Sequence, residues 1–219
     1  MSARLKNGAA GELVARTAAI FIGGSGSRLG GVDKSRLQVG LKTIAQRQVQ
    51  VLSSVFPSVV WIGHQSSSEV PPTGGRIADL RGPGLGPLSA LETALSTLPD
   101  GEHAVVCVAG DLPFLAAPLL AHLRDANEDA VALVPRTQHG LEPLCARYDR
   151  SLLPLVTDLL EAGYRSLHQL LGGARVTVVD EPELRKHDPE LRSFVNINTP
   201  EDLRAANANA NESFGRTGG

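Results

Sequence analysis

Short β-branched apolar runs alternate along the chain with longer stretches in which apolar residues recur every three to four positions. The runs predict strands at Ala18–Ile22, Val59–Gly63, Arg76–Ala78, Ala104–Val108, Ala130–Val134, Glu142–Tyr148 and Val176–Val179. The longer periodic stretches predict helices near Thr43–Val55, Pro87–Leu98, Ala117–Ala126, Leu152–Ala162 and Leu167–Leu171. A last helix opens at Thr199-Pro200-Glu201-Asp202, where Thr suits the N-cap, Pro the first helical position, and the acids the positive end of the helix dipole. Beyond Ala205 no periodic pattern remains, and that tail is expected to fray. Strands alternating with helices predict an α/β fold, a three-layer sandwich whose mostly parallel, Rossmann-like sheet is covered on both faces. Ligands of such sheets sit outside the carboxyl ends of the strands.

Composition narrows this picture more than it extends it. A chain of 219 residues supports one sizeable core and does not force a second domain. Hydrophobic content of 42% with 20% charged residues is ordinary for a soluble globular enzyme. A formal net charge of -2, without a Lys/Arg cluster, argues against nucleic-acid or anionic-membrane binding. No apolar run approaches the ~20 residues needed to span a bilayer. Residues 1–16 mix charged residues and glycine without the apolar centre of a signal peptide, so a flexible N-terminal arm and a cytoplasmic protein are expected. Cys107 and Cys145 fall inside apolar runs and are expected as buried free thiols, with no disulfide in a reducing compartment. Neither has a His or Cys neighbour at ligand spacing, which gives zinc no support. His64, His103, His122, His139, His168 and His187 are scattered without ligand spacing and read as surface or satisfied core residues.

The candidate chemistry starts where the first strand ends. Gly23-Gly24-Ser25-Gly26-Ser27-Arg28-Leu29-Gly30-Gly31-Val32-Asp33-Lys34 follows Thr17–Ile22 directly. Glycines let successive backbone N–H groups curl around an anion, and the Arg and Lys neutralise charge that the N–H groups leave. This predicts phosphate binding. Asp33 before Lys34-Ser35 excludes the Gly-Lys-Ser/Thr of a P-loop. Leu29 stands where G-x-G-x-x-G needs its third glycine, and Val59-Val60-Trp61-Ile62 runs into Gly63-His64-Gln65 without the ribose-binding acid of a dehydrogenase. An NAD(P) oxidoreductase stays open as an alternative that nicotinamide binding would reveal. Asp111 closes the apolar run Val105–Gly110, where a carboxylate would point into the crevice and suit Mg²⁺, a cation that takes hard oxygen ligands. The alternative role for Asp111 is an N-cap for the following helix.

In order along the chain, the loop resembles the GGxSxRMGGxDK signature of the MobA-like nucleotidyltransferases that make dinucleotide forms of molybdopterin, above all their guanylyltransferase branch. Asp79 with Gly86-Pro87-Leu88, Gly110-Asp111-Leu112-Pro113-Phe114, Glu142-Pro143-Leu144 and Phe194–Leu203 are similar to the later motifs of that family. The match runs from about Thr17 to Leu203. Departures are Ile22 for the usual Ala, Gly26 for a small polar residue, and Leu29 for Met; the segment Ser66–Gly75 has no clear counterpart.

The resemblance implies a single nucleotidyltransferase domain over 17–207, with 208–219 as the frayed tail. It implies transfer of GMP from GTP to the phosphate of molybdopterin, yielding the guanine dinucleotide cofactor and pyrophosphate, with Mg²⁺ as cofactor. Ile22, Gly23, Gly24, Ser25 and Gly26 would bind the nucleotide, with Lys34 on its phosphates and Arg28 on the departing pyrophosphate; Asp33 would orient the loop. Asp79 would contact the guanosine moiety beside Gly86, although its glycine- and proline-rich surroundings also fit a turn-forming Asp. Asp111 would hold the metal and contact the nucleotide. Asn196 and Asn198 alternate along an extended segment and would face the pterin substrate or support the metal. GTP and molybdopterin would be the small-molecule partners, with transient contact to proteins that make or deliver the cofactor. A relative that uses CTP, or a sugar or polyol phosphate acceptor, is the nearest alternative, and the doubled Gly23-Gly24 favours the guanylyl branch. A non-catalytic nucleotide-binding regulator is expected to have lost Lys34 or Asp111, and both are present.

Overall fold

The structure, a computed structural model, describes residues 14–22, 34–63, 75–125 and 131–215, with side chains to residue 210. Its strands are β1 (Thr17–Phe21), β2 (Gln38–Val39), β3 (Lys42–Thr43), β4 (Ser58–Ile62), β5 (Arg76–Ile77), β6 (Ala104–Ala109), β7 (Ala132–Thr137), β8 (Gly140–Leu141), β9 (Cys145–Asp149) and β10 (Val176–Asp180). Its helices are α1 (Ile44–Val55), α2 (Pro87–Ser96), α3 (Ala117–Asp125), α4 (Leu153–Glu161), α5 (Leu167–Gly173), α6 (Glu181–His187) and α7 (Pro200–Gly215).

Among the described residues the main sheet has eight strands, in the order β10-β7-β9-β6-β1-β4-β5, with β8 paired to β7. β1 lies parallel to both β4 and β6, and β10 parallel to β7. β9 runs antiparallel between β6 and β7. The sheet is therefore mostly parallel, with β9 and the short β8 running against the rest.

Successive side chains of a strand point to opposite faces, and β1 shows what that does here. Ala18 and Ile20 enter one core with Leu52 of α1, Leu119, Leu120 and Leu123 of α3, and Leu184 of α6. Ala19 and Phe21 enter the other with Leu88, Leu91 and Leu95 of α2, Val156 and Leu160 of α4, and Leu170 of α5. Helices on both faces give the three layers expected from the alternating pattern. Truncating one fully buried leucine such as Leu120 to Ala costs ~2–5 kcal/mol. Cys107 and Cys145 are both buried and free. They sit on adjacent strands but in different cores, Cys107 on the α2 side and Cys145 on the α3 side. Burial, with Glu142 and Asp188 nearby, pushes the Cys145 thiol up to about 12.

Several elements differ from the pattern-based expectation. The strand expected over Glu142–Tyr148 is a turn at Pro143-Leu144 followed by β9. β7 continues past Val134 to Thr137, whose hydroxyl donates to Glu142 Oε1 at 2.9 Å. The β2–β3 hairpin and α6 carry too little apolar surface to register in the hydrophobic pattern. α7 does not stop near Ala205: it continues to Gly215. Ala206 and Ala210 supply the reason, since both are buried against Val39, Ile44 and Ile197. Asn207 also accepts the Gly40 N–H at 2.8 Å and donates to the Gln38 carbonyl at 3.2 Å, fastening α7 to the hairpin.

Candidate active site at the carboxyl edge of the sheet

β1 and β6 are central neighbours, and the chain leaves both at the same edge of the sheet. Just beyond that edge the Gly110 N–H donates to the Phe21 carbonyl at 3.0 Å. A Cβ on Gly110 would lie 3.1 Å from that oxygen and 3.2 Å from Ile22 Cγ2, so the approach of the two strand ends is one that glycine alone makes without displacement. Asp111, the next residue, is thereby placed beside the exit of β1. It does not cap α3, which begins at Ala117; the N–H of Ala116 goes instead to Ser193 Oγ at 2.9 Å.

Lys34 opens a short 3-10 turn, Lys34–Arg36, as the chain returns from the glycine-rich segment. Its ammonium donates to Asp111 Oδ2 at 2.9 Å and to the Asn198 side-chain oxygen. The side chains of Lys34 and Asp111 keep 26% and 20% of their surface exposed, so the pair faces the crevice rather than the core. Asn198 is held by its own backbone. The N–H groups of Asn198 and Thr199 donate to Asp202 Oδ2 at 2.9 and 2.8 Å, and Thr199 Oγ1 accepts the Asp202 N–H at 3.1 Å. The Asn198 N–H, assisted by Thr199 and by the Lys34 charge, holds the Asp202 carboxyl below its usual range. The Ile197 N–H donates to the Asp111 carbonyl at 3.1 Å, which stitches this segment to the Asp111 turn.

Two contributors escape a reading of motifs. Asp202 is visible in the sequence as a helix-start acid, yet it also fixes the backbone of Asn198. Gln48 of α1, 1% exposed, donates through Nε2 to the Ala109 carbonyl at 2.6 Å and the Leu112 carbonyl at 3.1 Å, clamping the turn that carries Asp111. A polar residue among the apolar positions of an amphipathic helix was the available signal. Phe114 sits beside two cations, 4.3 Å from the Arg192 guanidinium and 5.7 Å from that of Arg47. Burial and the Arg192 charge push the Arg47 pKa down.

The structure brings Lys34, Asp111 and Asn198 together. Asn196 is exposed two residues earlier, in an irregular stretch rather than a strand. Ile22 lies between them and the next strand, its N–H donating to the Ile62 carbonyl at 2.8 Å. Asp79 and Gly86 lie farther along the same edge, beyond β5. From β6 to β5 is three strand spacings, roughly 14 Å. The Asp79 carbonyl closes a turn by accepting the Gly82 N–H at 3.0 Å. Gly86 precedes α2 with φ of +81°, and a Cβ there would meet the Arg165 carbonyl at 2.9 Å. Arg81 in this turn forks onto Glu92 of α2 at 2.6 and 2.7 Å, and Thr157 of α4 donates to the same carboxylate at 3.0 Å. Gly23, Gly24, Ser25, Gly26, Arg28 and Asp33 lie outside the described residues.

The cluster offers a hard carboxylate oxygen, a neutral amide oxygen and an ammonium, all reached from solvent. That donor set suits phosphate oxygens and a small hard cation; it offers no sulfur or imidazole ligand.

An open, mostly parallel sheet with this cluster at its carboxyl edge, and a glycine-rich sequence between β1 and Lys34, defines an enzyme that handles phosphate esters. The chain belongs to the MobA-like NTP transferase family, whose profile matches residues 18–178. It is similar to the probable molybdenum cofactor guanylyltransferase of Methanosarcina mazei, with 32% identity over 91% of this chain and 93% of that one. It is 30% identical to the molybdenum cofactor guanylyltransferase of Desulfosudis oleivorans, over 88% of this chain and 94% of the relative. Among solved structures, molybdopterin-guanine dinucleotide biosynthesis protein A from Archaeoglobus fulgidus superposes with a TM-score of 0.77 at 28% identity, covering 90% of this chain and 99% of that one. A cytidylyltransferase acting on 2-C-methyl-D-erythritol 4-phosphate, from Thermus thermophilus, shares the fold with a TM-score of 0.65 at 16% identity, over 88% of this chain and 98% of that one.

Proposed function

We propose that this protein transfers GMP from GTP to the terminal phosphate of molybdopterin, giving the guanine dinucleotide cofactor and releasing pyrophosphate. The observation that carries the reading is the meeting of Lys34 with Asp111 and Asn198 at the carboxyl edge, in a chain about as long as its guanylyltransferase relatives. An oxygen of the acceptor phosphate forms a bond to the α-phosphorus as the bond from that phosphorus to the β-phosphate oxygen breaks. The nucleophile is already an anion, so no general base is needed; positioning and charge neutralisation supply the catalysis.

Each residue then has a task. Lys34, freed from part of its contact with Asp111 when substrate arrives, neutralises the charge that gathers on the phosphates. Asp111 would hold Mg²⁺, which when bound would supply electrostatic stabilisation of phosphate oxygens. Asn198 keeps Lys34 and the Asp111 turn in register. Asn196, with Arg192 and Arg47 beside Phe114, would face the acceptor, where positive charge suits an anionic substrate. Asp79 and the turn to Gly86 lie one nucleotide's reach away and select the base. Gly23, Gly24, Ser25, Gly26, Arg28 and Ile22 complete the phosphate cradle. Among the described residues no helix is long and apolar enough to cross a membrane, and a cytoplasmic location, where GTP and nascent cofactor are available, is part of this proposal.

Titration calorimetry with GTP, CTP, ATP and NADPH, each with Mg²⁺, tests it. Selective GTP binding that weakens in Lys34→Ala supports the reading. Preference for CTP moves the protein to a cytidylyl role, and binding of NADPH alone overturns nucleotidyl transfer.

A further inference from the structure

α6 packs against α3 on the face of the sheet that also carries α1, away from the base-selecting turn. Glu183 and His187 are four apart on α6 and so share one helix face. His122 of α3 faces them. The rings of His122 and His187 lie 4.4 Å apart between centroids with 22° between planes. His187 Nε2 is 3.5 Å from Glu183 Oε1. One ligand atom from each of the three residues lies within 4.8 Å of the other two. All three side chains are half-buried. His187 Nε2 is itself shielded from solvent, and no hydrogen bond reaches it.

Taken one at a time, these histidines read as ordinary surface residues, because His122 and Glu183 are far apart in sequence. Folding creates the ligand spacing. A single cation between the two rings and the carboxylate would take one ring-nitrogen lone pair from each histidine and one oxygen of Glu183. Lys186 already occupies Glu183 Oε2 at 2.5 Å, leaving Oε1 toward the histidines.

We propose that His122, Glu183 and His187 form a binding site for one zinc ion, separate from the nucleotide site. The donor set of two imidazole nitrogens and one carboxylate oxygen suits zinc, with water completing a tetrahedron. It disfavours magnesium, which takes oxygen ligands in octahedral geometry. Bonds of about 2.0–2.2 Å put tetrahedral ligand atoms ~3.4 Å apart, so the cluster closes by roughly 1 Å on binding. One ring turns out of the stack about χ2, a broad torsion for His. The ion then pins α6 to α3. α6 leads into Asp188, which accepts the Ser193 N–H at 2.7 Å, and Ser193 accepts the Ala116 N–H just ahead of α3. The clip thus braces the segment that continues to Asn196 and Asn198, without touching the reacting phosphates.

The test is calorimetric titration of chelator-stripped full-length protein with ZnCl₂, without Mg²⁺ or GTP, alongside thermal melts. Wild type is expected to take up one zinc per chain in a saturable titration and to melt higher with zinc present. His122→Gln, His187→Gln and Glu183→Gln are each expected to weaken uptake by ~100-fold or more, since loss of an outer-shell partner alone costs ~10–100-fold. Glu183 and His187 lie on a short helix with Leu184 as its buried residue, so their variants retain the fold, which unchanged GTP titration in Mg²⁺ verifies. Co²⁺ substitution should give the visible absorption of a tetrahedral site in wild type and lose it in the variants. Absence of saturable zinc uptake overturns the proposal, as does uptake of equal affinity in all three variants. GTP binding is read separately, so failure of the zinc site and failure of the transferase reading are distinguishable.

Discussion

Two cation–carboxylate pairs stand near the carboxyl edge of the same sheet and behave differently. Arg81 forks onto both oxygens of Glu92, and Thr157 adds a third hydrogen bond, so that carboxylate is nearly saturated. The Arg81 contact is the main reason Glu92 titrates below its usual range. Lys34 meets Asp111 through one oxygen, and both groups stay partly open to solvent. A planar guanidinium in two-point contact is a brace between α2 and the turn after β5. An ammonium, a compact charge on a flexible stem, exchanges partners readily. The saturated pair holds the site's frame, and the open pair is free to act on a ligand.

Removing the open pair's acid separates the two pairs most strongly. Asp111→Asn is expected to lower kcat/KM for GTP-dependent turnover by ~10²–10³-fold. Its melting temperature should stay close to wild type, because an ion pair still open to solvent contributes only ~0–1 kcal/mol. The saturated pair should respond the other way. Glu92→Ala is expected to cost ~2 kcal/mol through loss of charge-assisted hydrogen bonds. That corresponds to a fall of roughly 4–8 °C in a thermal melt of a chain this size.

A third variant sharpens the boundary between frame and site. Gln48→Ala removes the donor shared by the Ala109 and Leu112 carbonyls and is expected to cost ~1–3 kcal/mol of stability. Because Gln48 positions Asp111 without touching substrate, kcat should fall by roughly tenfold with GTP KM nearly unchanged. A steady-state series in GTP separates the two parameters.

The smallest effect is a pH dependence. Asp202 is held below its ordinary value of 3.8, first by the Asn198 N–H. A depressed carboxyl stabilises the fold above its unfolded pKa, and that contribution fades as pH falls through the lower folded value. Wild type should therefore lose more stability than Asp202→Asn as the pH falls below about 4, as followed by denaturant titration at successively lower pH. Equal slopes would remove Asp202 from the account.

Much of this arrangement was legible because the central strands are buried on both faces and therefore read as continuous apolar runs, as Ala104–Val108 does. The second half of α7 was not. It buries two alanines, Ala206 and Ala210, among asparagines that favour loops, so its helical period carries almost no hydrophobic contrast. α6 has Leu184 as its buried residue, but acids in its first turn and bases in its last gave a capping signal that apolar periodicity alone overlooks. At the site, Lys34, Asp111 and Asn198 each stood in a recognisable motif. Their mutual contact depends on residues 77 and 164 positions apart, a matter of strand order that local pattern does not encode. The same limit hid Gln48, whose partners lie 61 and 64 residues away. It also separated Asn198 from Asn196, which alternation in an extended segment would have aimed the same way.

If the open Lys34–Asp111 pair serves guanylyl transfer, its loss must show in turnover. The most direct measurement is molybdopterin-dependent release of pyrophosphate from GTP, with CTP and ATP in parallel, by wild type and by folded Lys34→Ala. Release is expected with GTP, to require molybdopterin, and to fall by ~10²-fold or more in the variant. Wild-type rates in Lys34→Ala, or no release with GTP from the intact protein, would contradict it.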